Sequence, residues 1–175
     1  MSANVLTIDL PKKVRLRGII LPNEHGSWGF LFEPLIAAVV VAPTFAAFWI
    51  SVFVIGAFLA RQPLKIFASN WKTGRNPDET AVAFRYTLFY GAVFSIGLYG
   101  SIYLLPPQTL IPFVLVIPLA IYQLYCDVSR KSRQLMAELT GAIAISSSAA
   151  VIAFAGGWSF AASISLWGIF VARSI

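Results

Sequence analysis

Leu21-Pro22-Asn23-Glu24-His25-Gly26-Ser27-Trp28-Gly29-Phe30-Leu31-Phe32-Glu33-Pro34 is the stretch on which the fold turns. It carries the single histidine and two of the seven acidic residues, and it runs directly into an apolar segment. If that segment crosses a bilayer, Glu33 lies within the hydrocarbon. An ionisable group there costs about 2.5–3.5 kcal/mol on insertion scales, so it is read first as functional.

Composition sets the class. Of 175 residues, 58% are hydrophobic and 11% charged, with a mean hydropathy of +0.79. The charged fraction is about half that of a soluble domain, and a soluble globule of this size could not hide so much apolar surface. An all-α, polytopic transmembrane bundle is expected. The one cysteine, Cys126, excludes an internal disulfide framework and a cysteine-based zinc cluster. The net charge of +6 comes from lysines and arginines beside the apolar segments, and no nucleic-acid-binding motif accompanies them.

Residues 1–22 read as a basic cytoplasmic tail lying on anionic headgroups, because the apolar run after Arg17 is stopped by Pro22 and is too short for a signal core. Residues 23–175 read as one transmembrane domain with spans near 27–42, 45–60, 81–104, 108–126, 135–155 and 158–172. Asn23 is a plausible N-cap, and residues 43–44 should turn the first two spans into a tight hairpin. Between the second and third spans, Leu64, Phe67, Ala68 and Trp71 recur at helical spacing beside Arg61, Lys65, Ser69 and Lys72. That pattern predicts a short helix in the interface plane, ended by Gly74, with Asn76-Pro77-Asp78 opening the next helix. The basic clusters at 12–17, 61–85, 130–133 and 173 all fall on one side, whereas the turns at 43–44, 105–108 and 156–157 carry no charge. By the positive-inside rule the basic side, and both termini, are cytoplasmic.

Most ionisable residues therefore gather at one face. His25, Glu33 and Glu138 are the candidate catalytic groups; Glu24, Arg61, Arg85, Asp127, Arg130 and Arg133 are the candidate substrate contacts. Glu33, beside the helix-bending Pro34, reads as a proton-carrying or substrate-facing acid, or as a buried partner of Arg85 or another arginine. His25 reads as a proton shuttle or headgroup contact, or as a locally bonded residue at the helix start. Arg130 and Arg133 have the forked donors that clamp phosphate, and they equally serve as topology-fixing charge. One histidine among scattered carboxylates does not make a zinc site, so no metal is assigned.

Residues 21–29, followed by Arg61-Gln62-Pro63-Leu64 and by residues 130–141, resemble the YwiC-like family of bacterial integral membrane proteins. The Pro-x-x-His-Gly-x-Trp opening is the most specific mark. The resemblance implies a multi-pass protein of the bacterial cytoplasmic (inner) membrane. Members generally run longer, so further spans are expected beyond the last residue, and no particular activity or cofactor is implied. Residues 122–141 are also similar to the helix-loop-helix turn of UbiA-type intramembrane prenyltransferases. The aspartate-rich motifs with which those enzymes hold magnesium diphosphate have no counterpart here.

The expected function is binding or processing of an amphiphilic anionic substrate, such as an isoprenoid or quinone-like lipid, in a polar pocket at the cytoplasmic face. Arg61, Arg85 and Arg130 would clamp the head while His25 with Glu33 or Glu138 handles protons. A small proton-coupled transporter using Glu33 and a non-catalytic assembly partner are the alternatives. Oligomeric state is left open.

Overall fold

The computed structural model describes residues 16–22, 25–74, 76–129 and 135–174, with Arg17 and His25 described by their backbones alone. These residues form α1 (Leu16–Ile20), α2 (His25–Val41), α3 (Phe45–Thr73), α4 (Pro77–Leu104), a 3-10 turn (Pro107–Leu110), α5 (Ile111–Val128), α6 (Leu135–Ala155) and α7 (Phe160–Ser174). Four segments, Phe45–Thr73, Pro77–Leu104, Pro107–Val128 and Leu135–Ala155, are long and apolar enough to cross a membrane. Two shorter apolar helices run beside them, Gly26–Val41 and Phe160–Ser174. The start of α2, α4 and α6 and the finish of α3 and α5 share the basic end.

Why α3 is one helix is written in its register. Residues 61–73 do not form a separate interfacial helix; they continue α3 to 29 residues, about 43 Å at 1.5 Å per residue. Trp49, Phe53, Gly56, Phe67 and Trp71 follow one another at near-helical intervals, and the first four of these meet α4. A Cβ at Gly56 would overlap the Phe94 backbone, and one at Gly97 would overlap that of Phe53. The Trp49 ring lies over Gly100 in the same way. Farther along, the Phe53 and Phe94 rings are 4.9 Å apart and those of Phe67 and Phe84 5.2 Å. The predicted apolar stripe is thus helical but continuous with α3, and it meets α4 at Phe67 while Trp71 stays 74% exposed. Because the stripe stays in phase with the upstream helix, nothing breaks the helix at Arg61. Pro63 is accommodated within it and is buried.

The hairpin ends are locally determined. The Thr44 hydroxyl accepts the Ala47 N–H at 3.1 Å and caps α3. Gly74 terminates it at φ +62°, where a residue without Cβ is unstrained. Asn76 sits at φ +49° before Pro77, and its amide donates to the Glu79 carboxylate at 3.0 Å. The Asn70 amide reaches the same carboxylate from α3 at 3.4 Å.

α6 is the central helix. Residues 146–153 are all buried, and the small side chains of Ala142, Ser146, Ser147, Ser148, Ala149 and Ala150 let neighbours approach closely. The three serine hydroxyls donate to carbonyls of their own helix, Ile143, Ala144 and Ile145, at 3.1, 2.7 and 2.7 Å, so no hydroxyl is left bare in an apolar core. α2 packs chiefly on α6, with little contact to α3. The expected tight hairpin of the first two spans is therefore corrected: the chain turns at residues 42–44, but α6 offers α2 the smaller and closer surface. Trp28 still reaches Phe58 of α3 edge-on, with centroids 5.2 Å apart. α7 is tied to α6 by the Trp167 indole N–H, which donates to the Ile143 carbonyl at 3.1 Å. At the foot of the bundle α1 docks on α3 and α4. Ile19 is buried and the Gln62 amide donates to the Gly18 carbonyl at 3.0 Å, so residues 16–20 belong to the fold and do not lie loose on headgroups.

Because the two glycines are in reciprocal backbone contact, Gly56→Leu or Gly97→Leu should each lower stability by about 1–3 kcal/mol through overpacking. Gly91→Ala, at an open position inside α4 of the same hairpin, should not lower it and should raise it by up to about 1 kcal/mol. Unfolding in mild detergent, followed by tryptophan fluorescence, checks both.

Candidate functional site

The inward stripe of α3 decides where the chemistry sits. Ala47, Ile50, Val54 and Phe58 are its buried positions, and the next residue on that stripe is Arg61. Helical geometry thus carries a guanidinium to the basic end of the apolar core. There α5 presents Asp127, whose side chain is 0% exposed against 24% for Arg61. Arg61 Nε donates to Asp127 Oδ2, and Nη2 donates to Oδ1 at 2.9 Å. This forked, charge-assisted pairing is the strong form of an ion pair. It also offsets the desolvation of both groups, which neither could bear alone. Nη1 has no partner among the described residues.

Next to the pair is a pocket of about 180 Å³ lined by Gly26, Ser27 and Phe30 of α2, Phe58 and Arg61 of α3, and Glu138, Gly141, Ala142 and Ile145 of α6. Its wall is polar at Arg61, Glu138 and Ser27, and apolar at Phe30, Phe58 and Ile145. Behind Gly141 lies Gln123, one helical turn before Asp127 and on the same face of α5. Gln123 is 6% exposed, and neither its amide oxygen nor its nitrogen has a hydrogen-bond partner among the described residues. A Cβ at Gly141 would overlap that amide. The glycine therefore lets a polar group stand directly behind the pocket wall, where an unsatisfied amide is costly unless something polar meets it.

The structure brings together three of the sequence candidates, Arg61, Asp127 and Glu138. Two others lie apart from them. Glu33 does not line this pocket and does not converge with Arg61. It is the middle residue of α2, on the edge turned toward α7, where it pairs with Arg173; both side chains are substantially exposed, 45% and 61%. Its partner is thus an arginine from the last helix and not Arg85. Arg85 is exposed on α4, which packs on a different face of α3 from the one that carries Arg61. Glu24, Arg130 and Arg133 lie outside the described residues, as do Asn23 and the side chain of His25. Among the described residues no cluster of three His, Cys, Asp or Glu side chains is placed to hold a metal ion. Sequence reasoning missed Gln123, although a lone amide within the apolar 18-residue α5, one turn from Asp127, was a usable signal. It also missed the lining role of Phe30 and Phe58, which look like any other aromatic in an apolar run.

A helical bundle with membrane-spanning elements, an internal ion pair and a mixed pocket at its basic end defines a polytopic membrane protein. The profile of the family described as "YwiC-like protein" matches residues 21–153, and the chain belongs to that family. No curated protein and no solved structure matches it.

Removing one member of the buried pair leaves the other uncompensated. Arg61→Met should cost about 3–5 kcal/mol, and Arg61→Met combined with Asp127→Leu should recover most of it. Gly141→Ala should likewise destabilise, with Gln123→Ala rescuing it. Equilibrium unfolding of each single and double variant measures both couplings.

Proposed function

We propose that this protein binds, and presents for processing, an amphiphile whose polar head enters the pocket between α2, α3 and α6 at the cytoplasmic face of a bacterial inner membrane. The observation that carries the reading is the meeting of Arg61 and Glu138 with Phe30 and Phe58 around one cavity. On this reading residues 23–175 act as a single transmembrane unit, with residues 1–22 as a basic tail at the headgroups.

Size and charge narrow the ligand. A volume of about 180 Å³ is below the roughly 300–1,000 Å³ that encloses a whole drug-sized molecule. The pocket accepts a head, while the tail leaves along Phe30, which is 41% exposed, into the bilayer. Asp127 already neutralises the Arg61 charge, so Arg61 contributes directed N–H donors more than net positive potential. The fitting head has an acceptor oxygen for the Nη1 edge of Arg61, as in a phosphate or a quinone carbonyl. It also has a hydroxyl or other donor for Glu138. Isoprenoid phosphates and quinones satisfy the first requirement. Proton transfer in this pocket would fall to Glu138, because Glu33 is paired elsewhere.

Ligand at a hundredfold excess over its dissociation constant stabilises a protein by about 2.7 kcal/mol. Farnesyl monophosphate or a short-chain quinone should raise the thermal midpoint of the purified protein. Gly26→Leu, which fills the pocket from a position with no neighbour in the way, should abolish that rise, and Glu138→Gln should weaken it at least several-fold. A rise of equal size in Gly26→Leu, or none with either probe in the native chain, overturns the assignment.

A further inference from the structure

Granted that an amphiphile's head enters the pocket between α2, α3 and α6, we propose that Gln123 is the residue that selects the head. The head it selects is a neutral hydroxylated ring, as in a phenol or quinol, in preference to a phosphate. Behind this lies one juxtaposition: a buried amide with its hydrogen bonds unfilled, set against the glycine that α6 gives to the pocket wall.

Among the described residues, only the Gln123 amide and the Trp49 indole nitrogen are buried without a hydrogen-bond partner. Trp49 lies in the first turns of α3, at the opposite end of the bundle from the pocket. An amide offers two donor and two acceptor positions, and those of Gln123 are empty beside a helix whose serines bond to their own carbonyls. Such a group is costly to keep unless something polar meets it. Two helices set where that meeting takes place. α5 carries Gln123 and Asp127 one turn apart, about 6 Å, on one face, and both are buried. Asp127 stands behind Arg61 and Gln123 behind Gly141; Arg61 and Gly141 both line the pocket. A Cβ at Gly141 would overlap the amide, so glycine is what leaves the amide at the edge of the cavity. The terminal torsion of a glutamine is broad, and either its oxygen or its nitrogen can turn to the gap.

Charge and shape then define the head. Arg61 and Asp127 cancel, and among the described lining residues Glu138 is the remaining ionisable group. A phosphate would add negative charge beside that carboxylate, and like charges disfavour one another. A ring hydroxyl instead donates to Glu138, and an oxygen of the same ring accepts from the Nη1 edge of Arg61. The Gln123 amide serves as donor or acceptor to a second ring substituent, while Phe30 and Phe58 give the ring aromatic partners. Discrimination is strong where the wrong ligand leaves a site's buried polar groups unpaired.

4-Hexylresorcinol and hexyl phosphate carry one alkyl tail on the two kinds of head, and isothermal titration of the purified protein in detergent compares them. 4-Hexylresorcinol should bind at least about tenfold more tightly, and Gly26→Leu should abolish its binding. Gln123→Met, which keeps the side-chain length and removes the amide, should weaken 4-hexylresorcinol at least about tenfold and hexyl phosphate by less than about twofold. Its thermal midpoint without ligand should equal or exceed that of the native chain, which a merely structural amide would not allow. In the native chain with ¹⁵N-labelled glutamine, 4-hexylresorcinol should shift a side-chain amide resonance that hexyl phosphate leaves in place, a readout independent of how Gln123→Met folds. Equal or tighter binding of hexyl phosphate, unchanged 4-hexylresorcinol affinity in Gln123→Met, or equal losses for both ligands overturns the selection. If that binding is still lost in Gly26→Leu, the pocket itself stands. Failure of both probes to bind removes the pocket and the selection together.

Discussion

A buried carboxylate and the partly covered guanidinium that forks onto it, at one end of an apolar bundle, constrain everything around them. Each ion alone would cost several kcal/mol to remove from water, so Arg61 and Asp127 tolerate their place only in each other's company. That requirement fixes the register in which α5 lies beside the Arg61 turn of α3. It also determines that the basic end has a polar interior, on which the pocket and Gln123 depend. Interior polarity of this kind is sustainable only if the remainder of the bundle is tight enough to hold the two groups in register.

Tightness comes from small residues, used in two ways. Between α3 and α4, Gly56 and Gly97 bring backbone against backbone, which clamps the longest helices into one hairpin and carries their partnership out to the Phe67–Phe84 contact. In α6, alanines and serines make a slender central helix that α2, α3, α5 and α7 all touch. Gly141 then serves a different purpose, making space for an amide and not for a helix. The same residue type thus acts as a packing device at one end of the molecule and as part of a polar wall at the other.

The helical spans were legible because their signal is additive over many residues: residues 135–155 were expected as a helix and α6 runs Leu135–Ala155. The stripe containing Leu64, Phe67 and Trp71 was legible as a helix but not as a continuation of α3, since periodicity reports a covered face without naming its cover. Arg61, Asp127 and Glu138 stood out as charges in an apolar chain, but their convergence depends on which helices are neighbours. That in turn depends on contacts such as Gly56 with Phe94, between residues far apart in sequence. Glu33 shows the limit most clearly. Its place within the first apolar helix was readable from spacing, whereas its direction required knowing that α6, not α3, takes the inner face of α2.

Magic-angle-spinning NMR on the protein in lipid bilayers, with ¹⁵N-labelled arginine and ¹³C-carboxyl-labelled aspartate, addresses the central pairing directly. With Nη2 and Oδ1 2.9 Å apart, a through-space correlation between a guanidinium nitrogen and an aspartate carboxyl carbon is expected, and it should vanish in Asp127→Asn. A spectrum of the folded native chain without that correlation, or one in which it survives the substitution, would contradict the account.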